Sequence, residues 1–270
     1  MASYVVAGAS RGIGLEFVAQ LARKPENVVF ALARNPDGSK DLQALSSKSN
    51  VHILKADITD PKGLQARLVA ADAVAKVTGG SLDVLINNGA IQGNFFWLTI
   101  DEYPTPEDLV DDFRKVFDTN VLGTILPTNA FLPLLRKGQV KKVLSLSSGL
   151  ADPASVLMVG NKYGAAYGIT KVGVEMANIK YATKYKEEGF TFLTISPGIV
   201  KTDMNAPPEK PEYLERLQEA AMQFAKFAPP TFTGPIETSE SVSKMLSVLD
   251  NVTPEDSGKF LSHHGDRNWL

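Results

Sequence analysis

Short apolar runs and helix-period stretches alternate along the chain. Tyr4–Gly8 (YVVAG), Val28–Arg34 (VVFALAR) and Val51–Ile58 (VHILKADI) are apolar almost throughout, the pattern of strands buried on both faces. Ile13, Phe17 and Leu21 recur at spacing four and predict a helix over Ile13–Ala22. An alanine-rich helix is predicted over Leu64–Val77, and a fourth strand within LDVLINNGA. Asp108–Leu126 predicts a long helix, kinked or broken where it reaches Pro127. Lys141–Gly149 gives a fifth strand, Tyr163–Glu187 a helix, Phe190–Gly198 a sixth strand and GKFLSHHG a seventh. Apolar strands separated by helices predict an α/β fold with a parallel sheet covered on both faces. With no linker and no internal repeat, residues 1–270 are expected to form one domain. Lys201–Pro235 is the one long irregular stretch. It holds a polar, helix-like piece, PEYLERLQEAAMQFAKF, bracketed by prolines. A lid around 203–232 and a plain surface insertion fit that composition equally well.

Composition narrows the function classes. A chain of 270 residues, 44% apolar, suffices for one sizeable core. The 28 basic and 30 acidic residues nearly cancel, which is not the footprint of a nucleic-acid binder. The absence of cysteine excludes disulfides, thiolate catalysis and cysteine-ligated metal. The three histidines, His52, His263 and His264, do not amount to a metal site without nearby carboxylate ligands. The last two are adjacent and would point apart on a strand, so no metal site is expected. The start of the chain carries none of the marks of a signal peptide, and no apolar run is long enough to span a membrane. The protein is expected to be soluble and cytoplasmic.

Between the first strand and first helix lies GASRGIG, with Gly8, Gly12 and Gly14. A strand that ends in a tight glycine turn and feeds a helix presents free backbone N–H groups, a site for a pyrophosphate. A structural turn is the alternative. Position after the first strand favours dinucleotide binding in a Rossmann-like, doubly wound parallel sheet of about seven strands. Arg34 ends the second strand about 20 residues on, where an acidic residue would bind the ribose 2′-OH of NAD and an arginine suits a 2′-phosphate. Arg11, in the turn itself, is placed to reach the same phosphate. The pair points to NADPH, with Asp37 nearby as the opposing signal.

Tyr167 and Lys171, in YGITK, share one helix face. A lysine near a tyrosine favours the phenolate and is expected to lower its pKa. Such a tyrosine can give a proton to a carbonyl oxygen as hydride reaches the carbon, or take it in reverse. Ser147 and Ser148 end the fifth strand, and Ser148 is the candidate to hold a carbonyl. Asn120, between Phe117 and Val121, fits an ordinary exposed position or a site holding a water that links the lysine to solvent.

Together these motifs resemble the short-chain dehydrogenase/reductase family, over essentially the whole chain. GASRGIG matches its glycine motif, with Ser10 and Ile13 in the turn, and ADITD places Asp57 and Ile58 where the family contacts adenine. NNGA, with Asn88 and Gly89, stands where the family usually has NNAG. SPGIVKTDM matches the segment that implies Pro197, Gly198, Ile199 and Thr202 beside the nicotinamide and its carboxamide. The resemblance implies a tetrad of Asn120, Ser148, Tyr167 and Lys171. Tyr167 is then the acid/base, Lys171 binds the nicotinamide ribose, Ser148 steadies the developing negative charge and Asn120 supports a water relay. It implies no metal, and a homodimer or homotetramer.

Ser148 and Tyr167 are 19 positions apart, wider than in many members. Similar extensions occur in the carbonyl-reductase-like branch, including fungal ketoreductases of aromatic polyketides, which this chain most resembles. Tyr163 competes for the catalytic role, but has Tyr167 rather than lysine four residues on. Three variable segments are expected to line the substrate pocket, with Phe96, Met158, Tyr163 and Met204 suiting an apolar or aromatic carbonyl compound. Epimerisation, dehydration, alcohol oxidation with NAD and a non-catalytic NADPH sensor are the alternatives.

Overall fold

The computed structural model describes residues 2–59, 64–230 and 232–269, with the backbone alone for 64–68. Seven parallel strands form one sheet: β1 (Ser3–Ala7), β2 (Val28–Ala33), β3 (Val51–Lys55), β4 (Val84–Asn87), β5 (Lys142–Leu146), β6 (Thr191–Ser196) and β7 (Phe260–Ser262). Their order in space is β3-β2-β1-β4-β5-β6-β7. The chain therefore winds one way from β1 and the other way from β4. The crevice between the ends of those two strands is where doubly wound sheets bind ligands.

Alternation within the strands builds a core on each face. Val6, Ile86 and Leu144 point to one side, against Phe17, Val18 and Leu21 of α1 (Gly12–Leu21), Leu42 of α2 (Lys40–Leu45) and, beyond, the helix at residues 238–251. Val5, Leu85 and Val143 point to the other, against Val74 of α3 (Leu64–Thr78) and Phe131 and Leu135 downstream. Apolar runs with no polar alternation thus reflect burial on both sides.

The strands are shorter than the apolar runs that predict them. The runs continue past β1, β2, β3, β5 and β6 into turns, and those overruns carry Gly8, Arg34, Asp57, Ser148 and Gly198. The predicted helix over Asp108–Leu126 is two helices, α4 (Pro106–Phe117) and α5 (Gly123–Leu135), joined through a wide π-helical turn at Asp118–Leu122. The break therefore precedes Pro127, which lies inside α5. Proline cannot donate to the carbonyl four residues back, at Gly123, so the ladder loosens on that side.

α6 (Pro153–Val159) occupies the wide Ser148–Tyr167 spacing, and α7 (Ala165–Lys184) carries the tyrosine and lysine. The predicted start of α7 at Tyr163 is two residues early, because the chain turns at Gly164, whose N–H donates to the Phe96 carbonyl at 2.8 Å. After β6 the chain is more ordered than the irregular composition suggests. Val200 bridges in parallel to Ile236, α8 (Pro211–Phe227) forms the helical piece of the expected lid, and α9 (Thr238–Asn251) buries Val242, Met245 and Leu249. No helix among the described residues is long and apolar enough to cross a membrane.

Candidate active site

Above the crevice lies a cleft of about 2360 Å³. A single small ligand commonly occupies roughly 300–1,000 Å³, so the cleft has room for a dinucleotide and a second molecule together.

The glycine turn forms one end. Gly8, at φ +83°, packs so closely on the end of β4 that a Cβ there would lie 2.6 Å from the Gly89 Cα. Gly14 sits behind the cleft wall rather than on it, and a Cβ there would lie 2.1 Å from the Gly8 carbonyl oxygen. Asn88 completes the junction by donating Nδ2–H to that same oxygen at 2.8 Å. Helix α1 begins with Arg11 as an N-cap that makes no side-chain cap, and no acidic residue occupies its first turn. Its leading N–H groups are left for an anion, so the cradle fits a dinucleotide pyrophosphate.

Ser10, Arg11, Gly12, Ile13, Arg34, Asp57, Ile58, Asn88 and Gly89 all line this end. Asp57 accepts the Thr59 N–H at 2.9 Å and its hydroxyl at 2.7 Å, which fixes the carboxylate. Ile58 explains the exchanged NNGA. A Cβ at Gly89 would lie 2.2 Å from the Ile58 Cδ1, so the position facing Ile58 takes glycine. Arg11 lies 3.7 Å from Asp203, with both side chains more than three-quarters exposed, a pairing worth little. Lys40, the first residue of α2, shares the wall with Arg34. It went unpredicted because a six-residue helix shows too little periodicity to be seen.

The other end gathers the ends of β5 and β6 and helix α7. Pro197, Gly198, Ile199 and Thr202 border the cleft after β6. The Pro197 carbonyl is held by the buried Ser241 hydroxyl at 2.7 Å. Tyr167, Lys171 and Ser148 line the same space. Lys171 is 3% exposed and donates to the Leu146 carbonyl at 2.8 Å. Burial lowers its pKa to about 8. Burial also pushes Tyr167 up to about 12, against the downward pull of a hydrogen bond with the Ser148 hydroxyl. The expectation that Lys171 lowers the Tyr167 pKa is not met in this state. The ammonium lies 5.5 Å from the tyrosine ring centroid and is tied to a strand carbonyl instead. Burial thus favours the neutral phenol, the form that can give a proton.

Asn120 is not an exposed helix position. It is 1% exposed, within the π-helical turn. Its Oδ1 accepts the Ile91 N–H at 2.8 Å, and its Nδ2 donates to the Ile91 carbonyl and to the Thr170 hydroxyl, each at 3.0 Å. Thr170 in turn donates to the Tyr167 carbonyl at 2.8 Å. With both amide hydrogens engaged, any link from Asn120 toward Lys171 is left to its oxygen atoms. The π-helical turn widens the helix so that this side chain reaches α7.

Tyr163 is separated from Tyr167 in role. It lies outside α7, and its hydroxyl donates to Glu219 of α8. Glu219 also takes Lys162 at 2.9 Å. Phe96, Met158, Tyr163 and Met204 all line the cleft. Phe96 meets the Tyr167 ring edge-on, with centroids 5.9 Å apart. Arg216 of α8 donates to the Trp97 carbonyl at 2.8 Å, which ties α8 to the segment carrying Phe96. His263 and His264 do not point apart. They follow β7 with rings 3.9 Å apart, and burial lowers His263 to about 4, keeping it neutral. Among the described residues no group of three or more His, Asp or Glu side chains is placed to hold a metal ion.

The short chain dehydrogenase family matches residues 3–212. The chain belongs to that family. Among its relatives is the short chain dehydrogenase virK of Hypocrea virens, 37% identical over 285 residues that cover all of both chains. The short-chain dehydrogenase/reductase atnB of an Arthrinium species is 38% identical over 279 residues, again all of both. Among solved structures, the NADPH-bound carbonyl reductase from chicken fatty liver aligns with a TM-score of 0.78 at 30% identity, covering 98% of each chain. Within this short-chain dehydrogenase, Gly8, Asn88, Ser148, Tyr167 and Lys171 all line the one cleft, while Asn120 and Gly14 lie behind it.

Proposed function

We propose that the chain is an NADPH-dependent carbonyl reductase acting on an apolar or aromatic ketone. The observation that carries this reading is the meeting of Ser148, Tyr167 and Lys171 in one cleft with the glycine cradle. NADPH, when bound, supplies the hydride. Pro197, Gly198, Ile199 and Thr202 border the nicotinamide end, and Lys171 holds the ribose. Ser148 donates to the substrate oxygen and steadies its growing negative charge. Tyr167, as the neutral phenol, delivers the proton to that oxygen.

The substrate end is walled by Phe96, Trp97, Met158 and Phe224, which favours a flat, apolar carbonyl compound. The test is NADPH oxidation across a panel of ketones, quinones and polycyclic aromatic carbonyls. Turnover should concentrate among the larger aromatic members, and a protein that turns over none of them would overturn the proposal.

Arg34, with Lys40 and Arg11 lining the same cleft, is proposed to hold the 2′-phosphate. Hydrogen bonds to charged groups contribute about 1.5–3 kcal/mol, equivalent to roughly 10- to 100-fold in binding. Arg34→Asp should therefore shift the NADPH/NADH ratio of kcat/KM toward NADH by about tenfold or more. An unchanged ratio counts against Arg34 as the contact.

A further inference from the structure

The turn that carries Ser148 is fastened to a segment far away in sequence. Ser148–Asp152 is one tight turn. The Ala151 N–H donates to the Ser148 carbonyl at 2.8 Å, and the Asp152 N–H to the Gly149 carbonyl at 3.2 Å. The Leu150 N–H donates to the Ser148 Oγ at 3.3 Å, so the serine oxygen accepts within the turn and its proton stays available to the cleft. At the far end Asp152 has two tasks. Its Oδ1 accepts the Ala154 N–H at 3.1 Å and caps α6. Its Oδ2 accepts Trp269 Nε1–H at 2.9 Å and an Arg267 N–H at 3.2 Å.

Trp269 is anchored on both sides. Its ring stacks on Phe260 of β7 with centroids 4.3 Å apart. It also lies against Gly149, the residue after the serine, where a Cβ would sit 3.0 Å from the Trp269 Cβ. Asp266 fastens the same segment to the end of β7 by accepting the Ser262 hydroxyl at 2.7 Å and the Asn268 N–H at 2.9 Å. The residue before the serine, Ser147, donates to Glu175 of α7 at 3.1 Å. The serine turn is thus tied both to α7 and to residues 266–269, and the proposed proton transfer uses none of those tying groups.

We propose that Trp269 and Asp152 are positioning residues, and that the segment Asp266–Trp269 is a strap that holds Ser148 in register with Tyr167. The inference rests on the carbonyl-reductase reading for its catalytic consequence, but not for its structural one. Without the Trp269 ring the turn loses the ring's share of the contact at Gly149 and the bond at Asp152. The serine hydroxyl then drifts from the tyrosine and its downward pull on that phenol is lost. Lys171 is the charged group facing Tyr167 and is not part of the strap. Glu175 and Arg267 are the charged groups nearest Asp152 and Ser147.

The experiment compares Trp269→Ala, Trp269→Phe and Asp152→Asn with wild type by amide hydrogen exchange, NADPH binding, turnover and the pH profile of alcohol oxidation. In Trp269→Ala the Leu150 and Ala151 amides should exchange about tenfold faster or more, while those of β5 stay unchanged. Turnover should fall about tenfold with NADPH affinity held within about twofold. The rising limb of the oxidation profile should move to higher pH, which a loss of stability alone would not do. Trp269→Phe keeps the stack and loses the N–H, so it should be intermediate. Asp152→Asn keeps a cap on α6 and should loosen the same two amides, which preserves the test if Trp269→Ala fails to fold. Unchanged exchange at Leu150 and Ala151 overturns the strap. So does faster exchange throughout the sheet, which is general destabilisation. If wild type reduces no carbonyl, the exchange result still decides the strap, and only the proposed function falls.

Discussion

Tyr167→Phe is expected to lower turnover by about 10²-fold or more, since a placed acid/base group is typically worth 10²–10⁴, while NADPH affinity stays nearly intact. The change removes one hydroxyl. The ring keeps its edge-on contact with Phe96, and the backbone carbonyl that receives Thr170 is untouched. Lys171 keeps its bond to the Leu146 carbonyl, so the fold and the cofactor end should survive. What is lost is the proposed proton donor and the partner of Ser148. The pH profile carries the sign. Burial holds Tyr167 protonated to about 12, so carbonyl reduction should persist through neutral pH and fall only as the phenol ionises. Alcohol oxidation needs the phenolate and should rise with pH. Both limbs should vanish in the phenylalanine variant. Steady-state turnover against pH checks this, and wild-type-like turnover would remove Tyr167 from its role.

The parts of the fold and site that could be read from the sequence are those set by local periodicity. Two-sided burial makes each central strand a solid apolar run, so the strands and the parallel sheet are visible. The spacing of four between Tyr167 and Lys171 is a helix-face signal, and GASRGIG announces its turn by composition. The segments that resisted reading depend on contacts far apart in sequence. Asn120 looks like one polar residue in a helix, and only the π-helical turn shows that it is buried against Ile91 and Thr170. The short α2 and α6 have too few turns for a period. The Tyr167 shift inverts expectation because spacing shows that a lysine is near but not where its ammonium points. No spacing rule joins Asp152 to Trp269.

Gly14→Ala is expected to destabilise the protein and weaken NADPH binding by about tenfold or more, which corresponds to about 1.4 kcal/mol. Helix propensity alone predicts the reverse, since alanine is favoured over glycine inside a helix by about 0.8–1.0 kcal/mol. Sterics decide the sign. The added Cβ would lie 2.1 Å from the Gly8 carbonyl oxygen and 2.5 Å from the Asn88 Nδ2. The nearer obstacle is backbone, and Gly8 cannot retreat, because it is itself pressed against Gly89. Overpacking of this kind costs about 1–3 kcal/mol, which outweighs the propensity gain at all but the bottom of that range. At about 2–4 °C per kcal/mol for a chain of this size, the net loss is readable as a lower Tm. Any relief has to come from α1 moving off the end of β1, and that movement displaces the N–H groups of the cradle. The coupling between the two losses is therefore diagnostic. Adding Asn88→Ala removes the more distant clash and leaves the carbonyl one, so the double variant should recover neither Tm nor affinity. Recovery of both would place the conflict at Asn88 and not at the packed backbone of the turn.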